Sequence, residues 1–174
     1  RILLRKPDDL AVGEYRSHLQ FDRVADATGA SSVEDVARRG VQDVGVTIQA
    51  LVGASIPVIV RQGDTSATLN LSDLAVQLPA AGGPGLLSFQ MKRDGNRSVY
   101  GDLLATFTTT AGVTFEVARA GGVAVYVPNA SRRVQLPLQL PSGNALPAGT
   151  LKLAFRERPE SGGKLLAESS LALP

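Results

Sequence analysis

Residues 86–119 read LLSFQMKRDGNRSVYGDLLATFTTTAGVTFEVAR, and their punctuation decides the fold. Three strand-forming runs, LLSFQMKR, SVYGDLLATF and VTFEVAR, are separated by the breaks DGN and TTTAG. Short β-prone runs bounded by Gly, Asn, Asp and Ser clusters at this spacing predict an antiparallel sandwich or barrel. The pattern continues downstream through VAVYVP, RRVQLPLQL, TLKLAFRER and LLAESSLAL, with AGG, NAS, PSGNALPAG and PESGGK as breaks. Upstream, QGDTSATLNLSDLAVQLPAAGGPG reads as a junction, a first strand and a turn. Residues 63–174 therefore form one β-sandwich domain by expectation, close to the roughly 100 residues an immunoglobulin-like domain needs.

The first third of the chain is also β-rich. GEYRSHLQF (13–21) alternates, with Tyr15, Ser17, Leu19 and Phe21 on one face and Glu14, Arg16, His18 and Gln20 on the other. Residues 22–43 break the alternation. Ser31 with Glu34 three residues on, followed by Gly40, reads as a short capped helix or a loop. Alternation returns over 44–61, where Val44, Val46, Ile48, Ala50, Val52, Ala54, Ile56, Val58 and Val60 make an apolar row. Pro57 interrupts the ladder of this long strand, as a proline does at an edge.

LAVGEYRSHLQF (10–21) and LPAGTLKLAF (146–155) share a pattern: Leu, two residues, Gly, one residue, then a large side chain opening a strand. Gly13 and Tyr15 in the first copy resemble a tyrosine corner, the turn in which a Tyr hydroxyl bonds back to nearby backbone. Two such corners predict two immunoglobulin-like sandwiches in tandem, residues 1–62 and 63–174. Residues 1–62 supply only strands of the E, F and G type. The first domain is thus expected to be incomplete, its opening strands lying before RILLRKPDD, and the chain to be a mature or truncated piece.

Composition narrows the function classes. Hydrophobic residues are 44% of the 174, but aromatics only 5% with no Trp, so the core is aliphatic. Eighteen basic against 16 acidic residues leave +2, too balanced for the concentrated basic face of a nucleic-acid binder. The apolar runs are too short for a helical membrane span. With no cysteine, disulfides, thiol catalysis and Cys-bound zinc are excluded. His18 is the single histidine and falls on the polar face of its strand, a solvated position rather than a base or ligand. AAGGPG and ARAGG lack the Lys-Ser/Thr and helix context of a phosphate cradle and read as turns. Asp8 and Asp9 read as turn formers, and the sequon at Asn129 matters only under eukaryotic secretion. The expectation is a non-enzyme without metal or cofactor.

PDDLAVGEYRSHLQF, then a variable loop, a long strand ending SIPVIVRQG, and GNRSVYGDLLATF early in the second β-domain resemble the PapD-like periplasmic chaperones of pilus and fimbria assembly. The likeness is to their atypical bacterial members and is concentrated in residues 7–21 and 54–63. It implies two immunoglobulin-like domains and strand donation to an incomplete fibre subunit. Val46, Ile48, Ala50 and Val52 are then the donor row, Pro57 and Arg61 lie at the interdomain cleft, and Gly13 and Tyr15 form the corner. Arg61 matches an arginine of the family that serves interdomain charge pairing, without a clear acidic partner in this sequence. Pro57 stands where better-known members carry a carboxylate-anchoring lysine. The implied partners are a pilus or fimbrial subunit and an outer-membrane usher, in the periplasm, with neither nucleic acid nor membrane insertion. The competing expectation is a structural immunoglobulin-like module of an adhesin or surface protein, with no client.

Overall fold

The computed structural model describes residues 3–24, 52–78, 85–140 and 146–174. Nine strands run through them: β1 (Gly13–Asp22), β2 (Gly53–Gln62), β3 (Ala67–Gln77), β4 (Leu86–Gly95), β5 (Val99–Thr109), β6 (Thr114–Val125), β7 (Ser131–Pro137), β8 (Gly149–Arg156) and β9 (Leu165–Leu173). The only helical element among the described residues is a 3-10 turn at Pro159–Ser161. The fold is all-β, as the punctuation predicts. The chain divides into two units, one of residues 1–15 with 60–174 and one of residues 16–59.

The larger unit is built on two antiparallel sheets, β3-β4-β7 and β6-β5-β8-β9. The connections β4 to β5, β6 to β7 and β7 to β8 each pass from one sheet to the other, so the strands are not a simple meander. Alternation explains the layering. Leu87, Phe89 and Met91 of β4, Leu103, Ala105 and Phe107 of β5, and Leu151, Leu153 and Phe155 of β8 are buried, and all belong to one core. Phe107 and Phe115 pack tilted at 51°, centroids 5.7 Å apart, an arrangement aromatic quadrupoles favour over a face-to-face stack. Phe89, Phe107 and Phe155 are among the largest fully buried side chains, so the core is not purely aliphatic as the composition suggests, whereas Phe21, Tyr15, Tyr100 and Tyr126 are exposed.

One expectation is corrected here. The AGG at 120–122 reads in sequence as a turn between two strands, but β6 runs unbroken through it from Thr114 to Val125. Gly101 pairs with Val123 and Leu103 with Ala120, which leaves Gly121 and Gly122 opposite the single residue Asp102. This is a bulge. Gly122 takes φ 67, and its N–H donates to Asp102 Oδ1 at 2.9 Å. A glycine in left-handed geometry serves a bulge as readily as a turn, which is why the sequence signal is ambiguous.

The repeat glycine Gly149 has a different cause. It opens β8 beside β5, where a Cβ would run into the Thr108 carbonyl oxygen and the Phe107 ring. Close backbone approach over a core aromatic demands glycine at this point.

In the unit of residues 16–59, the described parts of β1 and β2 form a two-stranded ribbon. The Arg23 amide donates to the Val52 carbonyl at 3.4 Å, and a Cβ on Gly53 would touch the Asp22 carboxylate. The strands therefore run antiparallel with Asp22 opposite Gly53. In that register Leu19 faces Ile56 and Ser17 faces Val58, all on one side.

Candidate functional site

The corner that opens β1 lies in the larger unit. Pro7 and Leu10 close a turn through Asp8 and Asp9, the Leu10 amide donating to the Pro7 carbonyl at 3.3 Å. Four residues before Tyr15, the Ala11 carbonyl accepts the Tyr15 hydroxyl at 2.8 Å. This local bond pins the chain as it enters the strand. Gly13 is buried and extended at φ 159, so any residue could adopt its backbone. The glycine that this region does require is Gly63, at φ 62, where a Cβ would press on the Val12 side chain.

Glu14, between Gly13 and Tyr15, has a fully buried side chain. Its Oε2 accepts from Arg61 Nε at 3.0 Å, and the Arg61 side chain is 47% exposed. Burial works against the Glu14 charge and raises its pKa. Hydrogen bonds from the Ser98 side chain, from Arg61 and from the Ser98 backbone, with the attraction of the guanidinium, overcome that and hold it below the ordinary value. The Glu14 amide also donates to the Asn96 carbonyl at 3.0 Å.

Asn96 and Ser98 belong to the turn between β4 and β5, and this turn is a hub. The Asn96 side chain accepts from the Ser66 amide at 2.9 Å and donates to the Asp64 carbonyl at 3.3 Å. Ser98 Oγ accepts from the Val127 amide at 3.0 Å. Beneath the turn, the buried Arg93 donates to the carbonyls of Gly95, Arg97 and Asn129. Arg61 thus has a partner that sequence reasoning did not assign. Glu14 was visible only as a polar-face residue, because the cross-strand register that brings 14 to 61 is not encoded locally.

On the ribbon of residues 16–59, apolar side chains face solvent. Phe21 is 53% exposed, Ile56 52% and Val52 76%. Leu19 and Val58 are half-buried, and Pro57 and His18 are exposed. Of the residues expected to form a donor row, Val52 is described, at the entry to β2; Val46, Ile48 and Ala50 lie outside the described residues. No group of His, Cys, Asp or Glu suited to a metal occurs among the described residues, and no helix there is long and apolar enough to cross a membrane. What the ribbon offers chemically is backbone pairing groups flanked by apolar side chains. Comparison with known proteins finds no family model that matches the chain and no curated protein similar to it.

Proposed function

We propose that the chain is a periplasmic chaperone of pilus or fimbrial subunits, which it binds by lending the strand that ends in β2. The observation that carries this reading is the solvent-facing apolar surface of the β1–β2 ribbon, with Phe21, Val52 and Ile56 largely exposed. Monomeric soluble proteins seldom leave such groups together without a partner, and an extended strand with alternate apolar side chains is suited to strand addition. The resemblance over 7–21 and 54–63 supports the same reading. The strand order β3-β4-β7 against β6-β5-β8-β9, with its crossings between sheets, is compatible with an immunoglobulin-like second domain. Pro57 weakens the ladder at an exposed point of β2, which keeps an apolar strand from pairing indiscriminately.

The test is co-expression with a candidate fibre subunit. A one-to-one complex should form, and Ile48→Asp should abolish it, since an unpaired carboxylate in an apolar groove costs a few kcal/mol, about 3 or more. The isolated variant should keep the melting temperature of the parent. A variant that unfolds assigns the row to the chain's own core and overturns the reading; so does a subunit that is stable alone and never binds.

A second reading is favoured by a separate observation. The two sheets of the larger unit close one continuous core on their own strands, as a structural module of an adhesin or surface protein would. Such a module has no transient client. Stoichiometry separates the two readings, because only the chaperone forms a defined complex with an otherwise unstable subunit.

A further inference from the structure

The β1–β2 ribbon carries apolar side chains on both of its sides. Ile56 on one is 52% exposed and Ile59 on the other 43%, so burial does not tell the two sides apart. A ribbon whose faces are alike specifies its register weakly, and a slip of one residue turns every side chain to the opposite face. Something other than the apolar pattern has to hold β2 in place against β1.

The two ends of the ribbon agree on one register. At the tip Asp22 lies opposite Gly53, and at the foot Glu14 is bonded to Arg61. Glu14 and Asp22 are eight positions apart, as are Gly53 and Arg61, so the ladder runs between them without a bulge. The Arg23 amide donates to the Val52 carbonyl, which makes these two a hydrogen-bonded pair. By alternation Glu14 and Arg61 form a non-hydrogen-bonded pair, the kind whose side chains stand closest.

The ends differ in what a slip would cost. An added Cβ at Gly53 meets first the end of the Asp22 side chain, which is exposed and can swing aside. At the foot the Glu14 side chain is fully buried, and its amide is tied to the Asn96 carbonyl. A slip in either direction brings Val60 or Gln62 to Glu14 in place of Arg61. Neither carries a charge, and a buried carboxylate left without its cation is strongly destabilising.

We propose that Glu14 and Arg61 lock the register of the ribbon, as positioning residues that keep Ala54, Ile56 and Val58 on the side of Leu19 and Phe21. The middle of the ribbon is thereby relieved of setting its own register, and its apolar side chains are free to face a partner. The inference holds for whatever partner the ribbon meets, and its test uses none.

The chain has no cysteine, so introduced pairs read the register without interference. Gln20→Cys with Ser55→Cys places two exposed residues opposite each other in the observed register, at a non-hydrogen-bonded pair. Gln20→Cys with Ala54→Cys, or with Ile56→Cys, reads a slip of one residue in either direction. In the parent these two point to opposite faces and should close far more slowly than the first. Arg61→Gln makes positions 61 and 62 alike, so it should raise the rate of the 20–56 pair toward that of 20–55. Arg61→Lys keeps the cation and Val58→Thr alters only the middle, so both should preserve the order of the parent. Circular dichroism establishes that each variant is folded. Should Arg61→Gln fail to fold, Glu14→Leu with Arg61→Leu removes the pair without stranding a charge. Val60 can then replace position 61, and the 20–54 pair should rise instead. A 20–55 pair that stays dominant in the folded variants lacking the ion pair assigns the register to the turn at Gly63 and overturns the proposal. So does a slip in Val58→Thr, or a parent in which a slipped pair closes first.

Discussion

At the scale of single residues, the chain invests its buried charges in one turn. Glu14 and Arg93 are the buried ionisable side chains among the described residues, and both serve the segment between β4 and β5. Because the folded pKa of Glu14 lies below its ordinary value of 4.5, its contribution is present above that value. It is lost as pH falls through the lower folded pKa. Glu14→Gln should therefore cost about 1–2 kcal/mol at neutral pH, and the gap to the parent should close on acidification through the range below about pH 4.5. Urea titrations at a series of pH values check both points; a gap independent of pH would remove the ion pair from the account. Arg93→Met keeps the apolar stem but takes the guanidinium from the carbonyls of Gly95, Arg97 and Asn129, so it should lose about 1–3 kcal/mol in the same assay. Neither role was legible in advance. GEYRS identifies Glu14 as polar and KRDGN identifies a turn, but which turn the carboxylate reaches depends on tertiary register.

At the scale of elements, what could be read was the alternation, and what could not was the meaning of each glycine. LLSFQMKR and TLKLAFRER form strands because their apolar residues recur every second position and bury on one face. AGG at 120–122 and DGN at 94–96 look alike as punctuation, yet one is a bulge inside β6 and the other ends β4. The difference lies in the partner: Asp102 supplies an acceptor for the Gly122 amide and holds the strand together. Gly149 marks neither turn nor bulge but a steric contact, since β8 starts against the Phe107 ring. Gly149→Ala should shift the first residues of β8 and cost about 2–3 kcal/mol, seen as a fall of several degrees in Tm by calorimetry. An unchanged Tm would mean that the β5–β8 approach relaxes freely.

At the scale of the whole molecule, the all-β class and the strand-rich second half followed from composition and spacing, because a sandwich repeats one local rule in every strand. The candidate site was less legible. Pro57, Arg61, Gly13 and Tyr15 were nameable from motif alone, whereas the Glu14 to Arg61 bond and the exposure of Phe21 and Ile56 required the fold. Donation of the β2 strand to a client is the central claim, and it is a claim about backbone groups. The most direct measurement is amide hydrogen exchange along 44–62, with the full chain free and then mixed with a fibre subunit lacking its final strand. Amides of this segment should become protected on mixing while those of β4, β5 and β8 stay as they were. Exchange that is unchanged along 44–62 with the subunit in excess would contradict the account and leave the structural-module reading in its place.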